Sequence, residues 1–291
     1  MITGSTRVAA VIGHPVAHSL SPALHNAAFQ AAGVPWVYVA FHVLPGQAAR
    51  ALDAMRTLDI GGLSVTTPHK EHVANAVDVL APAASALASV NTVVRLPDGR
   101  LEGHSTDGAG FVASLREAGC DPTGRRIVVF GAGAAARSVI DALARERAEQ
   151  IVVVNRSAHK GLQAAGLAGA LGRVGTVDDV PLADIVINAT SIGMGSNGPS
   201  DWTTSDVGES PVDRRLLRPT QVVADLVYHP LQTPLLIAAR AIGAQTIDGL
   251  GMLVHQAALQ QVLWLGTQPD VAIMRAAAIN ELSSREARPL A

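Results

Sequence analysis

The chain is poor in several residue types that announce a function. Its 291 residues include one cysteine, Cys120, which rules out an internal disulfide and any cysteine-built metal site. Aromatic residues make up only 3%, while alanine and glycine abound, a balance that favours helices packed closely on sheets over a β-sandwich. Charge is scarce too, at 16% with a net value of −2, and no basic run exceeds the pairs Arg125–Arg126 and Arg214–Arg215. A partner that is nucleic acid or an anionic membrane surface therefore has no electrostatic footprint to meet. No apolar run approaches the roughly 18 residues that cross a bilayer. The opening "MITGSTRVAAVIGHP" lacks the basic start and apolar core of a signal peptide, so a cytoplasmic protein is expected. His14, His18, His25, His69, His72 and His104 fit no zinc spacing such as H-E-x-x-H and have no carboxylate cluster beside them, so no metal is expected.

What is present is apolar bulk in a regular rhythm. With 48% hydrophobic residues and a length suited to two domains, the chain can bury large cores. "RVAAVI" (7–12), "WVYVAFHV" and "GGLSVTTP" read as strands. Helices are expected between them, the first with Ser21 as N-cap and Pro22 in its first turn. Pro68 is expected to open a further helix with Val73, Val77 and Leu80 on one face. "SVNTVVRLPDGRLEGHSTD" reads as two strands joined by a Pro-Asp-Gly turn. From 107 the rhythm restarts with a helix, then "RRIVVFGAGAAARSVIDALARE", then the strands "QIVVVNRS", "ADIVINATS" and "QVVADLVY", with a weaker one near 173–177. Residues 193–219 form a long polar segment, a length usually functional or mobile, that can help to cover a site. Thr233–Pro234 caps another helix, "QTID" is a last strand, and helices at about 250–266 and 269–284 close the chain. The expected fold class is α/β, with two α/β domains and mostly parallel sheets.

"VVFGAGAAA" sets Gly131 and Gly133 between a buried strand and a helix, with Ala136 as the small third position of a G-x-G-x-x-A turn. The first glycine permits the tight bend, the second admits a pyrophosphate, and the helix N-terminus offers N–H donors to it. The next strand runs into Asn155-Arg156-Ser157, with Lys160 close by, where an NAD-binding protein places an acid on the ribose. Arginine there suits a 2′-phosphate, which points to NADP(H).

The stretch "GHPVAHSLSPALHN" (13–26) holds far more polar side chains than a strand-to-helix connection needs. Ser19, Ser21, Thr66, Lys70, Asn91 and Asp107 all lie at or just beyond the C-terminal ends of expected strands, where open α/β sheets bind ligands. Lys70 and Asp107 make a candidate proton-handling pair, since an ammonium can protonate a nascent alkoxide. Simpler roles stand beside these: Ser21 as a helix cap, Lys70 as a solvated first-turn lysine, and Asp107 as a cap for the helix after it.

Taken together, these motifs resemble the shikimate dehydrogenase family over nearly the whole chain. "GHPVAHSLSPALHN", "SVTTPHK", "SVNT" and "GHSTDGAGF" are similar to that family's ordered signatures, as are "GAGAAAR", "NRSAHK", "NATSIGM", "DLVYHPLQTPLL" and "GLGMLVHQA". The resemblance implies a Rossmann-type dinucleotide-binding domain at 108–247. It also implies a substrate-binding catalytic domain made of 1–107 and 248–291. The implied reaction is the NADP-linked interconversion of 3-dehydroshikimate and shikimate in aromatic amino-acid biosynthesis. Ser19 and Ser21 would bind the substrate carboxylate with Tyr228 near it. Thr66, Asn91 and Gln256 would hold ring hydroxyls beside Lys70, the acid/base, and Asp107, its partner. Gly131, Ala132, Gly133, Ala134 and Ala135 would cradle the pyrophosphate, and Asn155, Arg156, Ser157 and Lys160 the adenosine phosphate. Thr190, Leu226 and Gly249 would line the nicotinamide half. Ser64 and Ser105 depart from the family by standing where asparagine is usual, either as neutral changes or as an enlarged pocket for quinate or an amino-substituted relative. A quinate or quinate/shikimate dehydrogenase with relaxed substrate or NAD use and a non-catalytic ligand-sensing relative remain alternatives. Monomer and homodimer are both open.

Overall fold

A computed structural model describes residues 2–195 and 210–286. It divides into two compact units, one formed by residues up to Thr106 together with those from Gln256 onward, the other by Asp107–His255. Much of the polar segment 193–219, namely 196–209, lies outside the described residues.

The first unit begins β1 (Arg7–Gly13), α1 (Ser21–Ala31), β2 (Trp36–His42), α2 (Ala48–Thr57), β3 (Gly62–Val65) and α3 (Lys70–Ala74). It continues β4 (Val79–Leu80), α4 (Pro82–Leu87), β5 (Thr92–Arg95) and β6 (Leu101–His104). Its sheet runs β2-β1-β3-β5-β6-β4. The pairs β1/β2, β1/β3 and β4/β6 are parallel, and β5 lies antiparallel to both β3 and β6. β1 is buried over its last five residues, as a strand covered on both faces must be. α1 buries Leu24, His25, Ala28 and Phe29, one stripe at helical spacing, and stops where Gly33 takes a positive φ of 64°.

Two expectations change here. The helix after Pro68 ends at Ala74, because Asp78 N–H donates to the Leu101 carbonyl at 3.0 Å and Ala81 N–H to that of Gly103 at 2.9 Å. Pairing with β6 draws Val79 and Leu80 into a strand. Ser21 is the first residue of α1, not its cap. Leu20 holds the cap position, and the Ser19 hydroxyl accepts the Ser21 N–H at 3.2 Å.

The second unit runs α5 (Asp107–Glu117), β7 (Arg126–Phe130), α6 (Ala134–Arg145), β8 (Gln150–Val154), α7 (Ala158–Gly166), β9 (Gly172–Val174) and β10 (Ile185–Asn188). It proceeds through β11 (Val222–Asp225), α8 (Pro234–Ala241) and β12 (Gln245–Ile247). All its strand pairs are parallel, in the order β12-β11-β10-β7-β8-β9. Counted within the unit this is the doubly wound 3-2-1-4-5-6 arrangement, read from its far edge, with its switch point between β7 and β10. Thr233 caps α8 by accepting the Leu236 N–H, as its sequence suggested. Cys120 is buried beside the core of this unit, where burial pushes its thiol up. The chain leaves the second unit within α9 (Gly249–Leu265), whereas the boundary read from the sequence stood at the start of that helix. α10 (Val271–Glu286) then packs along α1.

Gly62 shows how tightly the first unit is fitted. A Cβ there would lie 2.4 Å from the Trp264 indole, which is anchored by donating Nε1–H to the Val93 carbonyl at 3.1 Å. Gly62→Ala is expected to lower stability by roughly 1–3 kcal/mol in urea unfolding, because overpacking must shift a ring that is hydrogen-bonded in place. Parental stability would show that the ring yields.

Candidate functional site

Strand register collects the candidate residues of the first unit at one edge of its sheet. Ser19 and Ser21 follow β1, and Thr66 follows β3, tied back by donating its N–H to the Ile12 carbonyl at 3.0 Å. Gly13 makes room for this, since a Cβ there would be 2.5 Å from Thr66 Cγ2. Lys70 opens α3, and its carbonyl accepts the Val90 N–H at 3.0 Å, which seats it beside Asn91. Asn91 precedes β5 instead of ending a strand. Because β5 is antiparallel, its N-terminal end reaches the edge where β3 and β6 finish, and the Asn91 backbone bonds both Val65 and His104. The loop carrying Ser19 is held from α10: Arg285 donates to the carbonyls of His18 at 2.6 Å and Ser19 at 3.2 Å. Asn26 clamps α1 to β2, exchanging hydrogen bonds with the Tyr38 backbone at 2.8 Å each way.

Behind this edge lies a buried polar network that the sequence reading missed. Tyr38 donates its hydroxyl to Ser64 Oγ at 2.6 Å and also hydrogen-bonds Ser21. Ser64 donates to Gln260 Oε1 at 2.7 Å. Gln260 Nε2 donates to Gln256 Oε1 at 3.0 Å, and Asn91 Nδ2 approaches the same oxygen at 3.4 Å. Asn91 is held further by the Thr106 backbone N–H at 2.9 Å and by donating to the Thr106 hydroxyl at 2.9 Å. His25, fully buried and stacked on Tyr38 at 4.2 Å, bonds Gln260 through Nε2 and Gln261 through Nδ1. Burial holds its pKa down at about 3, so the ring works as a neutral hydrogen-bonding group. The visible signal was a pair of glutamines one turn beyond Gln256 in an otherwise apolar helix.

In the second unit the glycine turn takes the form its sequence implies. Gly131 has φ +107° and a Cβ there would meet the Ala189 carbonyl at 2.9 Å and Thr190 Cγ2 at 3.2 Å. Gly133 faces open space, and no side chain caps α6, so the first-turn N–H groups of Ala134 and Ala135 point toward a position an anion can fill. Ala136 is fully buried against the sheet. After β8, Asn155 Nδ2 donates to the Ser157 carbonyl and Ser157 caps α7 by accepting the Lys160 N–H. Arg156, Ser157 and Lys160 are all exposed at this helix start, with no acid between 155 and 160. At the switch point Thr190 is bound to Asn188 Oδ1 through its hydroxyl at 2.7 Å. Leu226 donates its N–H to the Asn188 carbonyl, and Gly249 packs so closely on Leu226 that a Cβ would sit 2.3 Å from the Leu226 carbonyl. Ala132 lies between the two glycines of the turn. Asp107, buried, opens α5, and Tyr228 is half-buried just after β11. Both belong to the second unit, whereas Lys70, Ser19 and Ser21 belong to the first. No cluster of histidine, cysteine or carboxylate groups suited to a metal occurs among the described residues, and no helix among them is long and apolar enough to cross a membrane.

Asp225, also missed, organises the switch-point loops. It accepts from Asn188 Nδ2 at 2.9 Å, from the Val227 N–H at 3.0 Å and from the Thr233 hydroxyl at 2.7 Å. Burial outweighs these bonds and pushes its carboxyl up to about 6 from an ordinary 3.8. Across that window the folded state binds a proton that the unfolded chain does not, so this group's contribution to stability falls as pH rises toward 6. Asp225→Asn lacks the titration. The stability of the parent relative to this variant should therefore drop by roughly 1 kcal/mol per pH unit between about 4 and 6 in urea unfolding. A flat difference would count against the raised carboxyl.

Comparison with known proteins agrees with this architecture. Residues 11–93 match the shikimate dehydrogenase substrate binding domain, 115–194 the shikimate / quinate 5-dehydrogenase family, and 249–279 the shikimate 5′-dehydrogenase C-terminal domain. The shikimate dehydrogenase (NADP(+)) of Moorella thermoacetica is 44% identical over 94% of this chain and 92% of its own. A crystal structure of a shikimate dehydrogenase in complex with NADP+ superposes with a TM-score of 0.89 at 38% identity, covering 97% of this chain and 98% of the other. That of Thermus thermophilus, in complex with NADP(H) and shikimate, gives 0.86 at 34% identity over 94% and 99%. With nearly full-length relatives well above 30% identity, the chain belongs to the shikimate dehydrogenase family.

Proposed function

We propose that the chain is an NADP-dependent shikimate dehydrogenase that reversibly reduces 3-dehydroshikimate to shikimate in the cytoplasm. The first unit would take the substrate and the second the cofactor. The observation that carries this reading is the gathering of Lys70 with Ser19, Ser21, Thr66 and Asn91 at one sheet edge, backed by Gln256. Those hydroxyl and amide groups suit a ring bearing hydroxyls and a carboxylate. The Ser19 and Ser21 loop grips the carboxylate, while Thr66, Asn91 and Gln256 hold the ring hydroxyls. Lys70 delivers a proton to the carbonyl oxygen as it becomes an alkoxide, and takes it back in the reverse direction.

NADP(H), when bound, supplies or accepts the hydride. The residues present fit it: an uncapped helix start beside open Gly133 suits the pyrophosphate, and Arg156 with Ser157 and Lys160 suits a 2′-phosphate. Thr190, Leu226 and Gly249 are assigned to the nicotinamide side. Ser64 does not enlarge a pocket toward quinate in this reading, since its hydroxyl already accepts from Tyr38 and donates to Gln260.

Initial rates with shikimate and quinate, each with NADP+ and NAD+, followed at about 340 nm, test the proposal. Shikimate with NADP+ should be fastest; a preference for quinate or NAD+ would replace the reading, and no turnover would favour a ligand sensor. Lys70→Ala is expected to lose about 10²- to 10⁴-fold in kcat with far less change in shikimate affinity by calorimetry. Equal losses in both would remove Lys70 from the acid/base role. Arg156→Asp should raise the KM for NADPH by at least about tenfold and spare that for NADH. An unchanged cofactor preference would overturn the role given to Arg156.

A further inference from the structure

We infer that Gln260, supported by Tyr38, Ser64 and His25, is a positioning residue that sets which atom of Gln256 faces the substrate; this rests on the functional reading above. Gln261 reaches His25 Nδ1 with an amide nitrogen, which only donates, so the ring proton is on Nε2 and is given to Gln260 Oε1 at 3.2 Å. Ser64 gives the same oxygen its hydroxyl proton at 2.7 Å, because an amide oxygen only accepts, and Ser64 in turn accepts from the Tyr38 hydroxyl. With two donors on Oε1, Gln260 has one orientation, and its Nε2 turns to Gln256 Oε1 at 3.0 Å and to the Asn91 carbonyl at 3.5 Å. Asn91 Nδ2 adds its weaker approach to the same Gln256 oxygen. The Gln256 carbonyl is thereby turned inward, and its amide nitrogen is the atom presented to a ring hydroxyl as a donor.

The members are all nearly or fully buried: His25 at 0%, Gln260 and Tyr38 at 2%, Ser64 at 5% and Gln256 at 8% exposure. In such buried surroundings a flipped amide would set N–H against N–H, so the direction is strongly enforced. The network also accounts for Ser64. A serine is too short to supply an amide of its own, and the Gln260 side chain, reaching over from α9, brings one to the same place. The network runs from Ser21, at the carboxylate end of the candidate site, through Tyr38 to Asn91 and Gln256 at the hydroxyl end.

The test is steady-state kinetics of the full-length protein with shikimate and NADP+, beside thermal unfolding. Gln260→Leu should raise the KM for shikimate about tenfold, change kcat less than about threefold and leave the KM for NADP+ unaltered. Adding Ser64→Asn to that variant restores an amide and should recover most of the lost affinity. Tyr38→Phe, which deletes only a hydroxyl, should raise the same KM about threefold and serves if Gln260→Leu does not fold. Folded variants with parental KM for shikimate, or a loss shared equally with NADP+, would overturn the positioning role. Absence of shikimate turnover in the parent protein would instead overturn the functional reading, and this role with it.

Discussion

Parallel strands connected through helices must all finish on the same side of their sheet, and that geometric constraint organises each unit of this chain. In the second unit it places the glycine turn after β7, the Arg156 loop after β8 and the Asn188–Thr190 turn after β10 along one edge. In the first it does the same for β1 and β3. The reversal of β5 does not break the rule, because a reversed strand enters the sheet where its neighbours leave it. Asn91 is therefore delivered to the same edge as Thr66 by an opposite chain direction.

Delivery alone does not orient side chains. Each edge is backed by a buried polar system that does. In the first unit, amides and hydroxyls of Tyr38, Ser64, Gln260 and Gln256 pass hydrogen bonds in one sense; in the second, the Asp225 carboxylate collects donors from three separate segments. The two solutions differ in charge. A neutral chain of amides is insensitive to pH, whereas a desolvated carboxyl raised to about 6 ties stability to proton uptake.

Much of the architecture was legible because burial on both faces writes continuous apolar runs, and because glycine and proline punctuate them. Thr233 and Pro234 announced α8, and Gly131 with Gly133 announced the tight turn between β7 and α6, since in each case the constraint is local. The failures were of another kind. Val77 and Leu80 kept helical spacing after Val73, yet pairing with β6 claimed Leu80, and no local pattern contains β6. Ser21 looked like a cap because Ser-Pro opens helices, but it is the first helical residue, its N–H goes to the Ser19 hydroxyl and its own hydroxyl hydrogen-bonds Tyr38. The histidine at 25 and the glutamines at 260 and 261 have meaning only together, across most of the chain's length. Long-range polar partnership leaves almost no trace in periodicity.

The solitary thiol illustrates how an unremarked burial shapes the handling of a molecule. Cys120 sits at 7% exposure with its ionisation suppressed, so little of the nucleophilic sulfur anion is present near neutral pH. A buried, protonated thiol is a poor target for maleimides, peroxide and disulfide exchange in the native chain. Any single cysteine engineered onto the surface would then be a unique address for a fluorophore or a spin label.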